Sequence, residues 1–377
     1  MNTPIHDDGL NELVRYTGSQ GETYEALAAE MAGERASLGR TEMEDRDSGD
    51  YVDVKLLRRI DAFVDAIPQF SGPAFYIDAE RGKPKLKRGE LGKYFGLLQH
   101  FHSPKIRLGY GERAKLFYEA LEELALDDSA ALSPWSADLN GEPIWKAFNE
   151  LVEVMRERIL RGSFREAMRR AYEMSRHQEQ LLNEHLVEVF AVCTVLRVVR
   201  VDFALQGEVH GEAAAQEALA ELRRQFGRFL NNRRHNKLFK HLISYAWKLE
   251  LSRRDGVHYH VLFYFDGSEV RADAYIASLI GEYWLRLVGK DKARFYTSNY
   301  AAGNKNFHEL AIGKVSYDDE RSVTALRNLF TYFAKPEQRV RAIAATERAM
   351  GVGAVRARKS NAGRKRGKVA VLPGMLR

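Results

Sequence analysis

Two histidines and a glutamate in the segment 245–266 could hold a divalent metal ion. His258 and His260 are separated by one residue, and Glu250 precedes them across a short polar turn. Two imidazoles and one carboxylate that leave coordination positions open form the two-histidine, one-carboxylate type of metal site. The expected chemistry is that of a divalent cation that is held by these side chains and remains accessible to a substrate.

A β-hairpin has to bring the three residues together. The segments on either side of Asp255 and Gly256 alternate in polarity, and an Asp-Gly pair favours a reversal with a positive-φ residue. If Leu251 lies opposite Val257, Glu250 lies opposite His258 on one face of the hairpin, and the other face is wholly apolar. A one-residue bulge would place Glu250 on the wrong face. The alternative is that both histidines lie on a solvated face and bind nothing.

Length and composition exclude several classes of protein. The 377 residues are 45% hydrophobic, which is enough for two or three domains with ordinary cores. The longest uncharged apolar run, 189–196, is much shorter than the roughly 20 residues that span a bilayer, and the first residues do not resemble a signal peptide. Cys193 is the single cysteine, which excludes an intrachain disulfide and a cysteine-rich zinc site and indicates a reducing cytoplasm.

The charge is distributed unevenly along the chain. The formal net charge is +6, although residues 1–50 contain 12 acidic residues, 4 arginines and no lysine. The remainder of the chain is therefore strongly basic, which favours a polyanionic partner, with nucleic acid as the default. The alternative is a basic protein without such a partner.

The order of elements predicts an α+β fold, an antiparallel sheet with packed helices, preceded by an α-helical N-terminal region. We expect an acidic, partly flexible leader at 1–50, a helical accessory region at 51–185, a sheet domain at 186–353 and a basic flexible tail at 354–377. Besides the hairpin, the sheet domain is predicted to contain strands at 187–203, 294–300 and 307–315 and helices at 211–230, 273–288 and 318–338.

The last of these helices carries a second set of reactive side chains. Val323, Leu326 and Phe330 belong to its apolar stripe, and Tyr332 lies about 120° from the centre of that stripe. Lys335 lies about 60° from Tyr332, so the two share a flank that need not be buried. The alternative for Tyr332 is a half-buried helix tyrosine without a chemical role.

Taken together, these residues resemble the HUH endonucleases. A His-hydrophobic-His strand, an acidic residue upstream and a Tyr-x-x-Lys helix are the signature of that superfamily. Residues 186 to about 353 are similar to the inovirus-type replication initiators of phages and prophages, whereas residues 1 to about 175 have no counterpart. The points of resemblance are Arg200–Asp202, Trp247–Glu250, His258–His260, Leu262–Gly267, Gly281–Trp284, Ile312–Gly313, Tyr332–Lys335 and Arg348–Gly351.

The resemblance implies an HUH/RRM-like nuclease domain that nicks and rejoins single-stranded DNA. Tyr332 would be the nucleophile that forms a 5′-phosphotyrosine link, with Lys335 as a nearby cation. His258, His260 and Glu250 would bind Mg²⁺ or Mn²⁺. The predicted helix contains only one tyrosine, which favours single-tyrosine chemistry.

The expected partner is single-stranded DNA at a replication origin in the cytoplasm of a bacterial host cell, with host replication proteins as further candidates and no membrane. Interleaved basic and aromatic residues are typical of single-strand binding surfaces. Other readings are an HUH transposase or relaxase, or a non-catalytic DNA- or RNA-binding protein on a related fold; the sequence indicates no oligomeric state. The candidate DNA-binding residues are Arg233, Arg234, Lys237, Lys240, Arg294, Tyr296, Lys305, Arg364, Lys365 and Arg366.

Overall fold

The predicted hairpin lies in the interior of a six-stranded antiparallel sheet. A computed structural model describes residues 54–78, 85–100, 111–126, 134, 142–207, 211–252, 256–299, 312–334 and 348–356. The sheet strands are β3 (Val195–Leu205), β4 (Leu242–Ser252), β5 (Gly256–Asp266), β6 (Ala293–Tyr296), β7 (Gly313–Ser316) and β8 (Met350–Val352). Their order is β6-β3-β5-β4-β8. Strands β6 and β7 pair with the same edge of β3, β6 along its C-terminal half and β7 along its N-terminal half.

The hairpin has the register that the sequence predicts. Leu251 pairs with Val257, Glu250 pairs with His258, and Lys248 pairs with His260. Its one irregularity lies between Leu242 and Ser244, at the end of β4 away from Glu250, so it does not change the face on which the glutamate lies. Gly256 has a φ of 56°, as the Asp-Gly reversal requires.

Helices cover both faces of the sheet. On one face, α5 (Gly211–Asn232) and α6 (Asp273–Val288) bury an aromatic core that includes Phe203, Phe263 and Trp284. The other face carries the polar residues of the hairpin, and α4 (Gly162–Val192) and α7 (Glu320–Ala334) pack on it. The stripe predicted for α7 is confirmed, because Val323, Leu326, Leu329, Phe330 and Phe333 are all buried there. None of the helices in the described residues is long and apolar enough to cross a membrane.

The predicted strand at 187–203 is wrong in its first eight residues. Helix α4 continues to Val192, and β3 begins only at Val195. Leu182, Leu186, Val189 and Phe190 are buried along one side of the helix, a spacing of four, three and one residues that follows the helical repeat. Burial of this face against the sheet and α7 outweighs the strand preference of the β-branched residues among them.

The N-terminal region has a core of its own, as the predicted helical region requires. It consists of α1 (Val54–Ala66), a 3₁₀ turn (Ile67–Gln69), a 3₁₀ segment (Glu90–His100), α2 (Glu112–Glu123) and α3 (Ile144–Leu160), together with β1 (Phe75–Asp78) and β2 (Lys85–Arg88). The two strands form an antiparallel ribbon that the sequence does not predict, because the largely exposed, Lys- and Arg-rich β2 has no alternating apolar face.

The predicted border at 185/186 falls inside α4, a 31-residue helix whose C-terminal part belongs to the core of the sheet. All the described residues lie in one unit, Ser48–Arg377. At the other end, residues 354–356 are not part of a free tail, because the Arg356 amide donates a hydrogen bond to the Ile243 carbonyl at 2.9 Å. Residues 1–50 and 357–377 lie outside the described part of the chain.

Candidate metal centre

Glu250, His258 and His260 converge on one point of the sheet face. His260 Nε2 lies 2.7 Å from Glu250 Oε2 and 3.1 Å from His258 Nε2, and His258 Nε2 lies 3.7 Å from the same carboxylate oxygen. Donor atoms about 2.1 Å from an ion and at right angles around it are about 3 Å apart. The three side chains can therefore hold a metal ion with little rearrangement.

The site is buried, which excludes the alternative of two histidines on a solvated face. His258, His260 and Glu250 are only 5–6% exposed. The centre of the Phe333 ring on α7 lies 6.1 Å from that of the His260 ring, so this helix helps to shield the cluster from solvent. Burial of three ionisable groups is unfavourable unless their charges are compensated, so this cluster differs from an ordinary apolar core.

The second ring nitrogen of each histidine is held by a hydrogen-bond acceptor. His260 Nδ1 lies 2.8 Å from Asp202 Oδ1, and the Arg200 guanidinium contacts both oxygens of Asp202 at 3.1 Å. His258 Nδ1 lies 3.0 Å from the Gly256 carbonyl. A carboxylate or carbonyl that accepts the Nδ1 proton fixes the tautomer in which Nε2 can bind a metal. This arrangement fits a metal centre independently of the distances among the three ligands.

Lys248 and the Asp202–Arg200 pair are site residues to which the sequence analysis assigned no role. Lys248 is buried beside His260 and pairs with Glu250 Oε1, so that Oε2 is the carboxylate oxygen left for an ion. Alternation within β4 placed Lys248 on the correct face. The contact of Asp202 with His260 depends on the register of β3 against β5, and neither strand specifies that register by its own pattern.

The titration of the site follows from these contacts. Burial, and then the charge of His260, lowers the pKa of His258. Burial would also lower the pKa of His260, but the Asp202 carboxylate and Glu250 outweigh it and raise that pKa to about 9. Burial would raise the pKa of Glu250, but its hydrogen bond with His260 and the charges of His260 and Lys248 lower it to about 2. Desolvation would also raise the pKa of Asp202, yet His260 and Arg200 hold that pKa well below its ordinary value.

Replacing Asp202 with Asn is expected to weaken Mn²⁺ binding about 10- to 100-fold, the usual effect of removing the hydrogen-bond partner of a ligating histidine. Asn keeps the shape of Asp202 but loses the charge that orients the His260 ring. Calorimetric titration with Mn²⁺ measures the affinity. Asp291→Asn, on an exposed turn, is the matched control, and equal affinities in the two variants would refute a supporting role for Asp202.

Two of the predicted DNA-binding residues lie on the face of the metal centre. Tyr296 on β6 pairs with Asp202 on β3, and Asp202 pairs with His260 on β5, so these three side chains form one cross-strand row. Arg294 lies in the next row, with Ala204 and His258. Tyr296 is 58% exposed, which leaves its ring accessible to a ligand that approaches the sheet from this edge.

The other predicted site residues are more dispersed. Arg233, Arg234, Lys237 and Lys240 follow α5, and all but Arg233 are exposed. Helix α7 includes Tyr332, but the side chain of this residue lies outside the described part of the structure. Lys335, Lys305, Arg364, Lys365 and Arg366 are also outside it. The structure therefore brings together the three candidate metal ligands, Arg294 and Tyr296.

Comparison with known proteins yields one match. Residues 163–353 match the family described as the YagK/YfjJ C-terminal domain. No curated protein and no solved structure matches the chain. The matched segment begins at the start of α4 and ends just after β8, so it includes the whole sheet and the metal centre. Because it covers half of the chain, the protein belongs to the YagK/YfjJ C-terminal domain family.

Proposed function

We propose that the protein is a replication initiator that nicks and rejoins single-stranded DNA through a covalent 5′-phosphotyrosine intermediate in metal-dependent rolling-circle replication. The observation that carries the proposal is the buried Glu250, His258 and His260 cluster, with Asp202 and Gly256 as acceptors for the second nitrogens of its histidines. The reaction would take place in the cytoplasm of a bacterial host.

Each residue of the centre has a defined task. Glu250, His258 and His260 bind Mg²⁺ or Mn²⁺. Asp202 holds the His260 ring in the tautomer that can bind the ion. Lys248 compensates the negative charge on Oε1 of Glu250. When bound, the ion polarises the scissile phosphate and neutralises charge that develops in the transition state.

The covalent step belongs to the C-terminal end of α7. The Tyr332 oxygen attacks phosphorus and loses its proton, the bond between phosphorus and the 3′ oxygen breaks, and that oxygen takes up a proton. The phenol is mostly neutral near pH 7, so the cationic Lys335 would favour the phenolate. Rejoining reverses the step, with the 3′-hydroxyl attacking the phosphotyrosine.

Helix α4 holds the segment that contains Tyr332. The Thr331 hydroxyl donates a hydrogen bond to Glu179 Oε1 at 2.8 Å, and the Ser175 hydroxyl donates one to the Ala334 carbonyl at 2.6 Å. Phe333, between these two contacts, packs against His260. A nucleophile at position 332 would thus be carried by backbone that is fixed on both sides and adjoins a metal ligand.

The proposal is tested by incubating the protein with single-stranded DNA from its own replicon, in Mn²⁺, in Mg²⁺ and in chelator. We expect site-specific nicks with free 3′-hydroxyl ends that require the ion, and none in the same sequence as a duplex. Tight binding without cleavage in either metal would instead support a non-catalytic nucleic-acid-binding protein. Nicking at the ends of a mobile element, and not at a replication origin, would indicate a transposase or relaxase.

Metal binding is expected to depend on pH, because the ion and a proton compete for His260. The pKa of this side chain is raised from 6.5 to about 9, so near pH 7 the ion must displace a proton, whereas His258 is already neutral. Mn²⁺ affinity should increase about tenfold per pH unit as the pH rises from about 7 to about 9, and then level off. Calorimetry in buffers of different ionisation enthalpy should detect the released proton. An affinity that is constant over this range would show that His260 is not protonated in the ion-free site.

A further inference from the structure

Three arginines from two distant parts of the sequence lie close together near the start of β4. Arg233 and Arg234 belong to the 3₁₀ turn Arg233–His235 after α5, and Arg356 follows β8. The Arg233 guanidinium carbon lies 4.3 Å from the centre of the Tyr245 ring, a cation–π contact. The Arg356 guanidinium donates a hydrogen bond to the Phe239 carbonyl at 3.3 Å, just beyond that turn.

The backbone fixes this arrangement. The Gly353 amide donates to the Tyr245 carbonyl at 2.7 Å, and the Arg356 amide donates to that of Ile243 at 2.9 Å. A Cβ atom at Gly353 would come within 2.2 Å of the Tyr245 ring, so glycine is needed for the chain to pass this close. Arg356 is therefore held beside Arg233, although its sequence context suggested a flexible tail.

No carboxylate in the described part of the chain compensates the charges of the three arginines. A guanidinium remains protonated at any physiological pH, so all three side chains are charged. Arg233 is only 9% exposed, and its buried Nε has no hydrogen-bond partner among those residues. Burial, and then repulsion from Arg233 and Arg234, lowers the pKa of Arg356. Such a cluster is unfavourable until an anion occupies it.

We propose that Arg233, Arg234 and Arg356 form a binding site for a phosphate group of a nucleic acid strand. Guanidinium groups match phosphate oxygens with paired hydrogen bonds, and the exposed Lys237 and Lys240 extend the positive surface towards the next phosphates. The sequence that follows Arg356 is also strongly basic. A strand with repeated phosphates fits this surface better than a single small anion.

This site is separate from the metal centre. Side chains alternate along β4, so Tyr245, against which Arg233 packs, is on the face opposite to Lys248 and Glu250. The inference rests on the proposed function in naming DNA as the polymer. It gives the DNA a second contact with the protein, beside β4 and β8 and on the sheet face opposite to the candidate metal centre.

The double variant Arg234→Gln, Arg356→Gln tests the site and leaves the buried Arg233 in place. The matched control is Arg224→Gln on α5, whose guanidinium is already paired with Glu221 at 2.7 Å. One arm measures the shift in Tm caused by inorganic phosphate relative to chloride at equal ionic strength. The other measures binding of a fluorescent oligothymidylate by anisotropy, in chelator and over a range of salt concentrations, so that neither arm requires cleavage.

We expect phosphate to stabilise the wild type and the control and to have no such effect on the double variant. Oligothymidylate affinity should fall about tenfold in the double variant, and the salt slope should decrease by about 0.7 for each phosphate that the protein no longer neutralises. An unchanged phosphate shift, or an equal loss in Arg224→Gln, would refute the site. Absence of the phosphate shift with unchanged oligothymidylate binding would refute the nucleic-acid assignment. If both binding measurements give the expected results but the protein does not nick DNA, the nickase proposal is refuted and the phosphate site is not.

Discussion

Replacing Tyr332 with Phe is expected to reduce nicking at least about a thousandfold and to leave Mn²⁺ affinity unchanged. The substitution removes only the phenolic oxygen, and loss of a covalent nucleophile leaves only the residual rate that binding and charge stabilisation provide. The measurement is the single-turnover nicking rate on single-stranded DNA, with the Mn²⁺ affinity of the same preparation determined by calorimetry.

A tyrosine just before the same helix provides the matched control. Tyr317 packs against Phe190 at the opposite end of α7 from Ala334, and Tyr317→Phe should nick at the wild-type rate. A Tyr332→Phe variant that nicks as fast as this control would refute Tyr332 as the nucleophile, although it would leave the metal-dependent class of enzyme intact. A variant that also fails to bind Mn²⁺ would indicate structural damage at the Phe333 contact with His260.

Replacing His260 with Ala is expected to weaken Mn²⁺ binding by more than about 100-fold and to abolish detectable nicking. His260 Nε2 is the donor nearest to both other ligands, at 2.7 and 3.1 Å, so only a histidine and a carboxylate 3.7 Å apart remain. Loss of a ligand should exceed the 10- to 100-fold effect that is typical of a supporting residue such as Asp202. Calorimetry measures the loss of Mn²⁺ affinity, and the nicking assay separately measures the loss of activity.

The fold should tolerate this change better than most buried substitutions. Asp202 keeps its bidentate partner Arg200 and Glu250 keeps its partner Lys248, so neither carboxylate is left without a counter-ion. His241→Ala is the control, because His241 is only partly buried and lies outside the cluster. Unfolding curves recorded in chelator separate loss of the metal from loss of the fold. Wild-type Mn²⁺ affinity in His260→Ala would show that the ion binds elsewhere.

The parts of the centre that are local in sequence are predictable. The Asp-Gly pair in the sequence and the alternation on both sides of it predict the register of the hairpin, and that register alone places Glu250 opposite His258. The stripe of α7 is also local, because Val323, Leu326 and Phe330 repeat at helical spacing. In both elements a single short pattern determines which side chains share a face.

The parts that depend on distant pairing are not predictable in this way. Asp202 reaches His260 because β3 pairs with β5 across some 60 residues, and a slip of one position would turn Asp202 to the opposite face. The extension of α4 through 187–192 depends on packing against α7, which follows more than 100 residues later. Likewise, β1 is held to α3 by two hydrogen bonds between Phe75 and Asn149, which its own sequence does not suggest.

Identifying the residue that becomes attached to DNA is the most direct test of the proposed reaction. Wild-type protein is incubated with Mn²⁺ and single-stranded DNA from its own replicon, denatured and digested, and the nucleotide-bearing peptide is sequenced by mass spectrometry. We expect a 5′-phosphate linked to Tyr332, and no adduct in chelator. Strand breaks without any protein–DNA adduct, or Mn²⁺-loaded protein that forms neither breaks nor adduct, would contradict a covalent, metal-dependent nickase.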